Sequence, residues 1–572
     1  MRSTVEPVAG EAPARARTPV LLAWVRGYDR KTLGADALAG LTAAAVVLPK
    51  AMAYATVAGL PVQLGLYAAF LPPLVYAALG RSRVLSISTT TTIGILVGSA
   101  LAAAVPGADP ARLVAAAATL SVLVGLALIA AGALRFGFVA NFISEPVLAG
   151  FKAGIGAVIV LDQLPKLLGV HVHKVGFFRD LLATLRAARE ASLPTILLSA
   201  ALVASILAIR RWVPRVPAAL VAVAAAIAAT ALLGLPALGV KTIGTIPPGL
   251  PSLVPPELGL VEELWPAALA IALMSFTESI ASARAFAGPG APPPQPNVEL
   301  LATGLGNVVG GLAGAMPSGG GTSQTLVSLR AGARTQLAGA VLGLAALVTL
   351  LLLAPVLSLM PQAALAAIVV VYSIELVSAR DFRAIAAIRR TELVWALTAF
   401  AGVILLGTLR GILVAVITSI VALAYQASTP AVYEVARKPG TNVFRRRTEE
   451  HPEDERYPGL LMIRVEGRLF FGNTERVLDA VRPLVEAARP RVLVLDCSAI
   501  FDLEYSALKM LAEAEEGARR RGGELWLTAL NPGARRVLER SPLGRVLGHE
   551  RMLFDLEHAV DRYRRLPGAT RA

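Results

Sequence analysis

The chain has 572 residues, 55% hydrophobic and 16% charged against about 25% charged in an average soluble domain, and its mean hydropathy of +0.65 makes it an integral membrane protein. A single cysteine, Cys497, excludes a disulfide framework and any cysteine-built metal site, and five scattered histidines have no ligand spacing, so neither a metal nor another cofactor is expected. The formal charge of +15, from 54 Lys+Arg against 39 Asp+Glu, comes without an aromatic-interleaved basic groove; it reads as basic loops beside a membrane, with no nucleic acid as partner.

Arg2, Arg15, Arg17, Arg26, Arg30 and Lys31 precede the first apolar run, with no short apolar segment and small-residue cleavage site, so no removed signal peptide is expected. Apolar stretches and their breakers then predict fourteen spans near 37–59, 62–79, 86–104, 113–134, 146–163, 193–209, 216–234, 264–284, 297–314, 321–331, 335–355, 361–377, 392–408 and 410–426. With both termini cytoplasmic, the even-numbered spans end at Arg81/Arg83, Arg135, Arg210/Arg211, Arg284, Arg330/Arg334, Arg389/Arg390 and the basic segment after the last span, as the positive-inside rule asks. One loop resists: 164–192, with Lys166, Lys174, Arg179, Arg186 and Arg189, falls outside.

Two spans are poor hydrophobic helices. The third opens with hydroxyls, Ser86-Ile87-Ser88-Thr89-Thr90-Thr91-Thr92-Ile93-Gly94, and the tenth is approached through Met316-Pro317-Ser318-Gly319-Gly320-Gly321-Thr322-Ser323-Gln324 and is too short to cross. Interrupted segments at equivalent places in two halves of seven are the mark of an inverted-repeat transporter with its site between them. Two half-helix N-termini present unpaired N–H groups and partial positive charge, which favours an anion. The alternative is that these small residues only let helices pack closely.

Past Gln426 the composition changes. Residues 437–457 carry Arg437, Lys438, Arg445, Arg446 and Arg447, then Glu449, Glu450, Glu453, Asp454 and Glu455, and read as a polar connector. Strand-like runs at Leu460–Val465, Leu469–Phe471, Val492–Leu495 and Glu524–Leu527 alternate with helical stretches near 474–488, 505–520 and 533–540, which predicts a small cytosolic α/β domain.

The segments Asp36-Ala-Leu-Ala-Gly40-Leu-Thr42, Leu48-Pro49-Lys50-Ala51-Met52-Ala53-Tyr54-Ala55, Ala58-Gly59-Leu60-Pro61 and Gly65-Leu66-Tyr67 closely resemble the opening signature of the sulfate permease family of anion transporters. Further matches are Ser82-Arg83, Glu278-Ser279, and Asn297-Val-Glu299-Leu300 with Gly304, Asn307 and Gly310. Asp496-Cys-Ser498-Ala499-Ile500 and Asp502-Leu-Glu504-Tyr505-Ser506-Ala507-Leu508 look like the STAS domain such transporters carry. The resemblance covers nearly the whole chain after about residue 30. It implies fourteen segments in two inverted sevens, divided into core and gate domains and commonly dimeric. The chain then divides into an N-terminal cytosolic segment 1–35, a transport domain 36–428, a polar linker 429–457 and a STAS domain 458–566. Ser506 aligns with a residue that some soluble relatives phosphorylate, although Tyr505 precedes it and Glu504 replaces the usual Asp; a plain helix-start serine is the simpler reading.

Two departures move charge. Lys50 stands where the family commonly has Gln, and Gln324 where it commonly has Arg. Only 8 of the 54 basic residues are Lys, and an intramembrane cation normally faces protein or water and has a partner. We read Lys50 as supplying, from the first span, the positive charge that relatives place at the tenth; the alternatives are that it snorkels or forms a structural pair with Glu278. By resemblance, Glu278 is the coupling residue, for a proton or for sodium. The expected substrate site comprises Lys50, Tyr54, Ser88, Thr89, Gly320, Gly321, Thr322, Ser323 and Gln324.

The leading function is secondary active transport of a small inorganic anion, sulfate with proton symport, across a bacterial inner membrane. Bicarbonate with sodium, a dicarboxylate and chloride stay open, as does a non-transporting scaffold acting through its STAS domain. No nucleophile–base pair or phosphate loop points to an enzyme.

Overall fold

The computed structural model describes residue 25 and residues 30–567, apart from 143, 173–175, 215, 248 and 288–293. Arg2, Arg15, Arg17, Arg26 and Lys174, and so most of the basic N-terminal segment, lie outside the described residues. The chain splits into two compact units, Met1–Ser419 and Ile420–Ala572.

The first half of the membrane helices comprises α1 (Arg30–Val57), α2 (Val62–Leu79), the two-residue strand β1 (Ile87–Ser88) leading into α3 (Thr91–Ala104), α4 (Pro110–Ala133), α5 (Glu145–Leu168), α6 (Phe177–Ala187), α7 (Leu193–Trp212) and α8 (Ala218–Leu233). The second half repeats that order: α9 (Val261–Ala285), α10 (Pro296–Leu312), β2 (Gly319–Gly320) leading into α11 (Thr322–Arg330), α12 (Leu337–Val348) continued through a π turn into α13 (Ala354–Leu357), α14 (Gln362–Ile374), α15 (Ala379–Ile388), α16 (Arg390–Leu406) and α17 (Thr408–Ala427). Among the described residues nine helices are long and apolar enough to cross a membrane, and α3, α8, α10, α11 and α16 complete the fourteen segments in two sevens.

Local chemistry explains the breaks. Pro49 in α1 has no N–H for the carbonyl of Ala45, which weakens the helix one residue before Lys50. Helix α3 begins where the Thr90 hydroxyl accepts the Ile93 N–H, and α4 where Asp109 accepts the Arg112 N–H with Pro110 in the first turn. Close approach elsewhere depends on small residues: a Cβ at Gly150 of α5 would lie 1.9 Å from the Ala396 carbonyl oxygen of α16.

The helices pack as two groups, the expected core and gate. Helices α1–α4 lie against α9–α12, while α5, α7, α8, α14 and α16 pack on one another. The groups meet where α1 touches α8 and α14 and where α3 touches α5.

The loop that resisted the charge rule contains a helix. Helix α5 runs on to Leu168, and α6 turns Phe178, Leu181, Leu182 and Leu185 outward beside Arg179 and Arg186. An amphipathic helix of this kind lies in the membrane interface, where its basic residues sit at headgroup level and carry little topological information. Helix α15 occupies the matching place in the second half.

The C-terminal unit is a six-stranded sheet in the order β4-β3-β5-β6-β7-β8, from β3 (Ala431–Arg437), β4 (Phe444–Arg446), β5 (Leu460–Glu466), β6 (Val492–Asp496), β7 (Glu524–Thr528) and β8 (Met552–Leu553). Strand β3 runs antiparallel to β4 and β5, and β5 to β8 are parallel, with α18 (Thr474–Ala488), α19 (Tyr505–Arg520), α20 (Pro532–Glu539), α21 (Pro542–Leu547) and α22 (Leu556–Arg564) around them. Two expectations need correction. The stretch 429–457 carries β3 and β4, because its basic and acidic runs pair with each other: Arg445 grips Asp454 through Nε–Oδ2 at 2.9 Å and Nη2–Oδ1 at 2.8 Å. Leu469–Phe471 forms a turn, with only a single bridge from Leu469 to Leu503 and the Asn473 amide closing on Phe470 N–H. Ser506 sits half-buried in the first turn of α19, after Glu504.

Candidate functional site

The two interrupted segments meet. Strands β1 and β2 pair antiparallel, Ile87 opposite Gly320 and Ser88 opposite Gly319, and Gly321 N–H continues the ladder to Ser86 O at 3.2 Å. Side chains tie the crossing further: Gln324 Nε2 donates to Ser86 O at 3.0 Å, and Ser86 N–H to Thr325 Oγ1 at 3.1 Å. Helices α3 and α11 therefore start from one shared junction.

Helix α9 holds that junction through serines spaced along one face. Ser275 donates to Ser318 O at 2.8 Å, Ser279 Oγ accepts Gly320 N–H at 2.7 Å, and Ser282 shares a 2.9 Å bond with Thr322. The glycines make this approach possible. A Cβ at Gly319 would lie 2.6 Å from Ser275 Oγ, and one at Gly320 would lie 2.7 Å from Ser279 Cα. Gly320 is thus a packing requirement, whereas a Cβ at Gly321 would meet only the flexible end of Gln324.

The two half-helix N-termini face different groups. At α3, Thr90 and Thr92 each donate at 3.0 Å to the carboxylate of Glu278, which is 7% exposed. A carboxylate at that position is favoured by the helix dipole. At α11, Lys50 Nζ donates to Ser323 Oγ at 2.8 Å and lies 3.6 Å from the centroid of the Tyr372 ring on α14. Lys50 is 4% exposed, and among the described residues no carboxylate forms an ion pair with it. The alternative of a Lys50–Glu278 pair is not what the geometry contains: each group has its own hydroxyl partners.

Of the expected site residues, Ser323 and Lys50 are in direct contact, Thr322 is engaged by Ser282, and Gln324 is spent on Ser86. Ser88 Oγ and Thr89 Oγ1 are buried with no hydrogen-bond partner among the described residues. Unpaired buried hydroxyls are costly, and they sit beside the junction as ready donors. Tyr54 packs against the first turn of α3, where a Cβ at Gly94 would lie 3.1 Å from its carbonyl oxygen. Sequence reading did not single out Tyr372 or Ser282. The i, i+4, i+7 spacing of Ser275, Ser279 and Ser282 was a legible signal for the second, and a lone aromatic directly after the aliphatic run Ala363–Val371 a weaker one for the first.

Among the described residues no cluster of His, Cys, Asp and Glu is arranged to hold a metal ion. What the site offers is one buried ammonium, an α11 N-terminus, and hydroxyls, which is chemistry for an anion.

The sulfate permease family model matches residues 33–399, and the STAS domain model matches residues 451–558. The chain is 35% identical over 547 residues to a probable sulfate transporter, Rv1739c, of Mycobacterium tuberculosis (strain ATCC 25618 / H37Rv), covering 94% of this chain and 97% of that one. It is 29% identical over 571 residues to sulfate transporter 1.3 of Arabidopsis thaliana, covering 95% and 86%. In structure it is similar to the murine Slc26a9 anion transporter in the inward-facing state, with a TM-score of 0.88 at 20% identity over 98% of this chain and 99% of that one. The transmembrane domain of the cyanobacterial bicarbonate transporter BicA matches with a TM-score of 0.58 at 25% identity, over 69% of this chain and 98% of that one. The chain belongs to the sulfate permease family, and its C-terminal unit is a STAS domain.

Proposed function

We propose that this protein is a secondary active transporter of a small inorganic anion, sulfate with proton symport, and that it sits in a bacterial inner membrane as a homodimer with both termini cytoplasmic. The observation that carries the reading is Lys50: a buried ammonium, without a carboxylate ion-pair partner among the described residues, hydrogen-bonded at the N-terminus of α11. An anion there would gain a full charge and the exposed N–H groups of a half-helix. The names of the relatives support sulfate as cargo.

Glu278 is the coupling group in this reading. It shares the junction with the anion, and its negative charge opposes a second anion beside it. Protonation removes that opposition, so proton and anion enter together. Displacement of the core against the gate then carries both across.

Uptake of radiolabelled sulfate into proteoliposomes tests this. Uptake driven by an inward proton gradient, competed by excess cold sulfate and lost in Glu278→Gln, is the expected result. Uptake that follows a sodium gradient and is competed by bicarbonate instead would favour the bicarbonate reading, and no uptake of any anion would leave the scaffold reading.

A further inference from the structure

The cation of the anion site is also a contact between the two packing groups. Lys50 belongs to α1 in the core, and the ring it rests on, Tyr372, belongs to α14 in the gate. The same ring carries the Arg210 guanidinium 5.1 Å from its centroid, and Arg210 from α7 pairs with Glu375, three residues beyond Tyr372. Arg210 and Glu375 thus anchor the ring on the gate side. The aromatic face is an electron-rich platform for the ammonium, and in a desolvated setting such a contact is at the strong end of its range.

We propose that Tyr372 is a positioning residue of the transport site, holding the Lys50 ammonium against the gate while the site is empty and yielding it to the anion when the site fills. This rests on the anion-transport reading above. The attraction between an ammonium and an anion at low dielectric exceeds that between an ammonium and a ring, so a bound anion draws Lys50 off Tyr372. Core and gate are then held together in the empty protein and released in the loaded one. The kinetic consequence is that the loaded core moves faster than the empty one, so labelled anion leaves vesicles faster when unlabelled anion waits on the other side.

Full-length protein in proteoliposomes at equal pH on both faces, preloaded with radiolabelled sulfate, reads this as the ratio of efflux into sulfate-containing medium to efflux into sulfate-free medium. The wild-type ratio is expected to be well above one. Tyr372→Leu keeps apolar bulk and loses the ring; efflux into sulfate-free medium should rise roughly two- to thirtyfold, the range of a cation–π contact, and the ratio should fall toward one. Tyr372→Phe keeps the ring face and should keep the wild-type ratio, which a role for the hydroxyl would not. If Tyr372→Leu is not monodisperse, Tyr372→Met takes its place with the same expectation. A wild-type ratio near one, or a wild-type ratio retained in the ringless variant, overturns the proposal while leaving sulfate transport standing; absence of any sulfate flux in wild-type vesicles overturns both.

Discussion

In the proposed relocation of charge, Lys50 supplies from α1 the positive charge that an arginine at position 324 would supply from α11. Lysine at position 50 reaches the α11 N-terminus from α1, and Gln324 instead bridges the two interrupted segments through Ser86. Replacing Lys50 by Gln removes the full charge it brings to that N-terminus, leaving dipoles of about half a charge each. Sulfate uptake by Lys50→Gln should fall by at least about tenfold, equivalent to ~1.4 kcal/mol of lost anion stabilisation. Adding Gln324→Arg to that variant should restore part of the uptake. The rescue stays partial because the arginine forfeits the bond to Ser86 O and brings a larger, forked group into a buried position. A double variant no better than the single one, with both folded by size-exclusion chromatography, would refute charge relocation.

At the scale of elements, the β1–β2 junction depends on backbone contact with α9. Gly320→Leu would drive its Cβ into Ser279 Cα, and backbone atoms cannot step aside as a side chain can. The expected outcome is a lower melting temperature in detergent and loss of monodispersity; a Gly320→Leu protein with wild-type melting would show that β2 can shift away from α9. In the C-terminal unit, the Arg445–Asp454 pair ties β4 to the stretch that follows it, and the aspartate side chain is 2% exposed. The Arg445 guanidinium, hydrogen-bonded to Asp454, holds that carboxyl below the usual aspartate range. A carboxyl depressed in the folded state stabilises the fold above the unfolded value and loses that contribution as pH falls through the folded value. In a fragment of residues 429–567, Arg445→Ala should therefore melt below wild type at pH 7, and the gap should close as the pH drops under about 4. A gap that persists in acid would mean the arginine acts by packing alone.

For the whole molecule, the proposed transport cycle moves core and gate past each other, and their contacts would report that motion. Ser99 of α3 in the core and Thr408 at the start of α17 share a hydrogen bond, and α17 lies against α16 of the gate through Gly411 and Val403. A Ser99→Cys/Thr408→Cys double variant should crosslink under mild oxidation, and sulfate uptake should drop to background and return on reduction. The native Cys497 leaves this readout clean: it is fully buried just past the end of β6 in the C-terminal unit, and burial pushes its thiol pKa up, so little thiolate forms. Full uptake in a protein shown by mass spectrometry to be crosslinked would mean that this contact does not move during the cycle.

The sequence by itself determined the architecture of this protein. Fourteen spans, the paired interruptions at the third and tenth, and a small α/β domain at the end are all legible because lipid demands long apolar runs and punishes broken ones, so each departure marks a position. It also determined the ingredients of the site, since a lysine and a glutamate inside apolar helices stand out against their surroundings. Only the tertiary structure decided what those ingredients touch. That Glu278 faces Thr90 and Thr92 at one half-helix and Lys50 faces Ser323 at the other depends on β1 meeting β2, a pairing between residues more than two hundred positions apart. Tyr372 enters the site for the same reason, because helix packing brings α14 to α1 and no local pattern in either helix encodes the other. The strands within 429–457 stayed hidden on similar grounds: charge runs that look solvated when read along the chain neutralise each other once the acidic stretch after β4 folds back onto the basic one, as Arg445 with Asp454 and Glu453 and Arg437 beside Glu455.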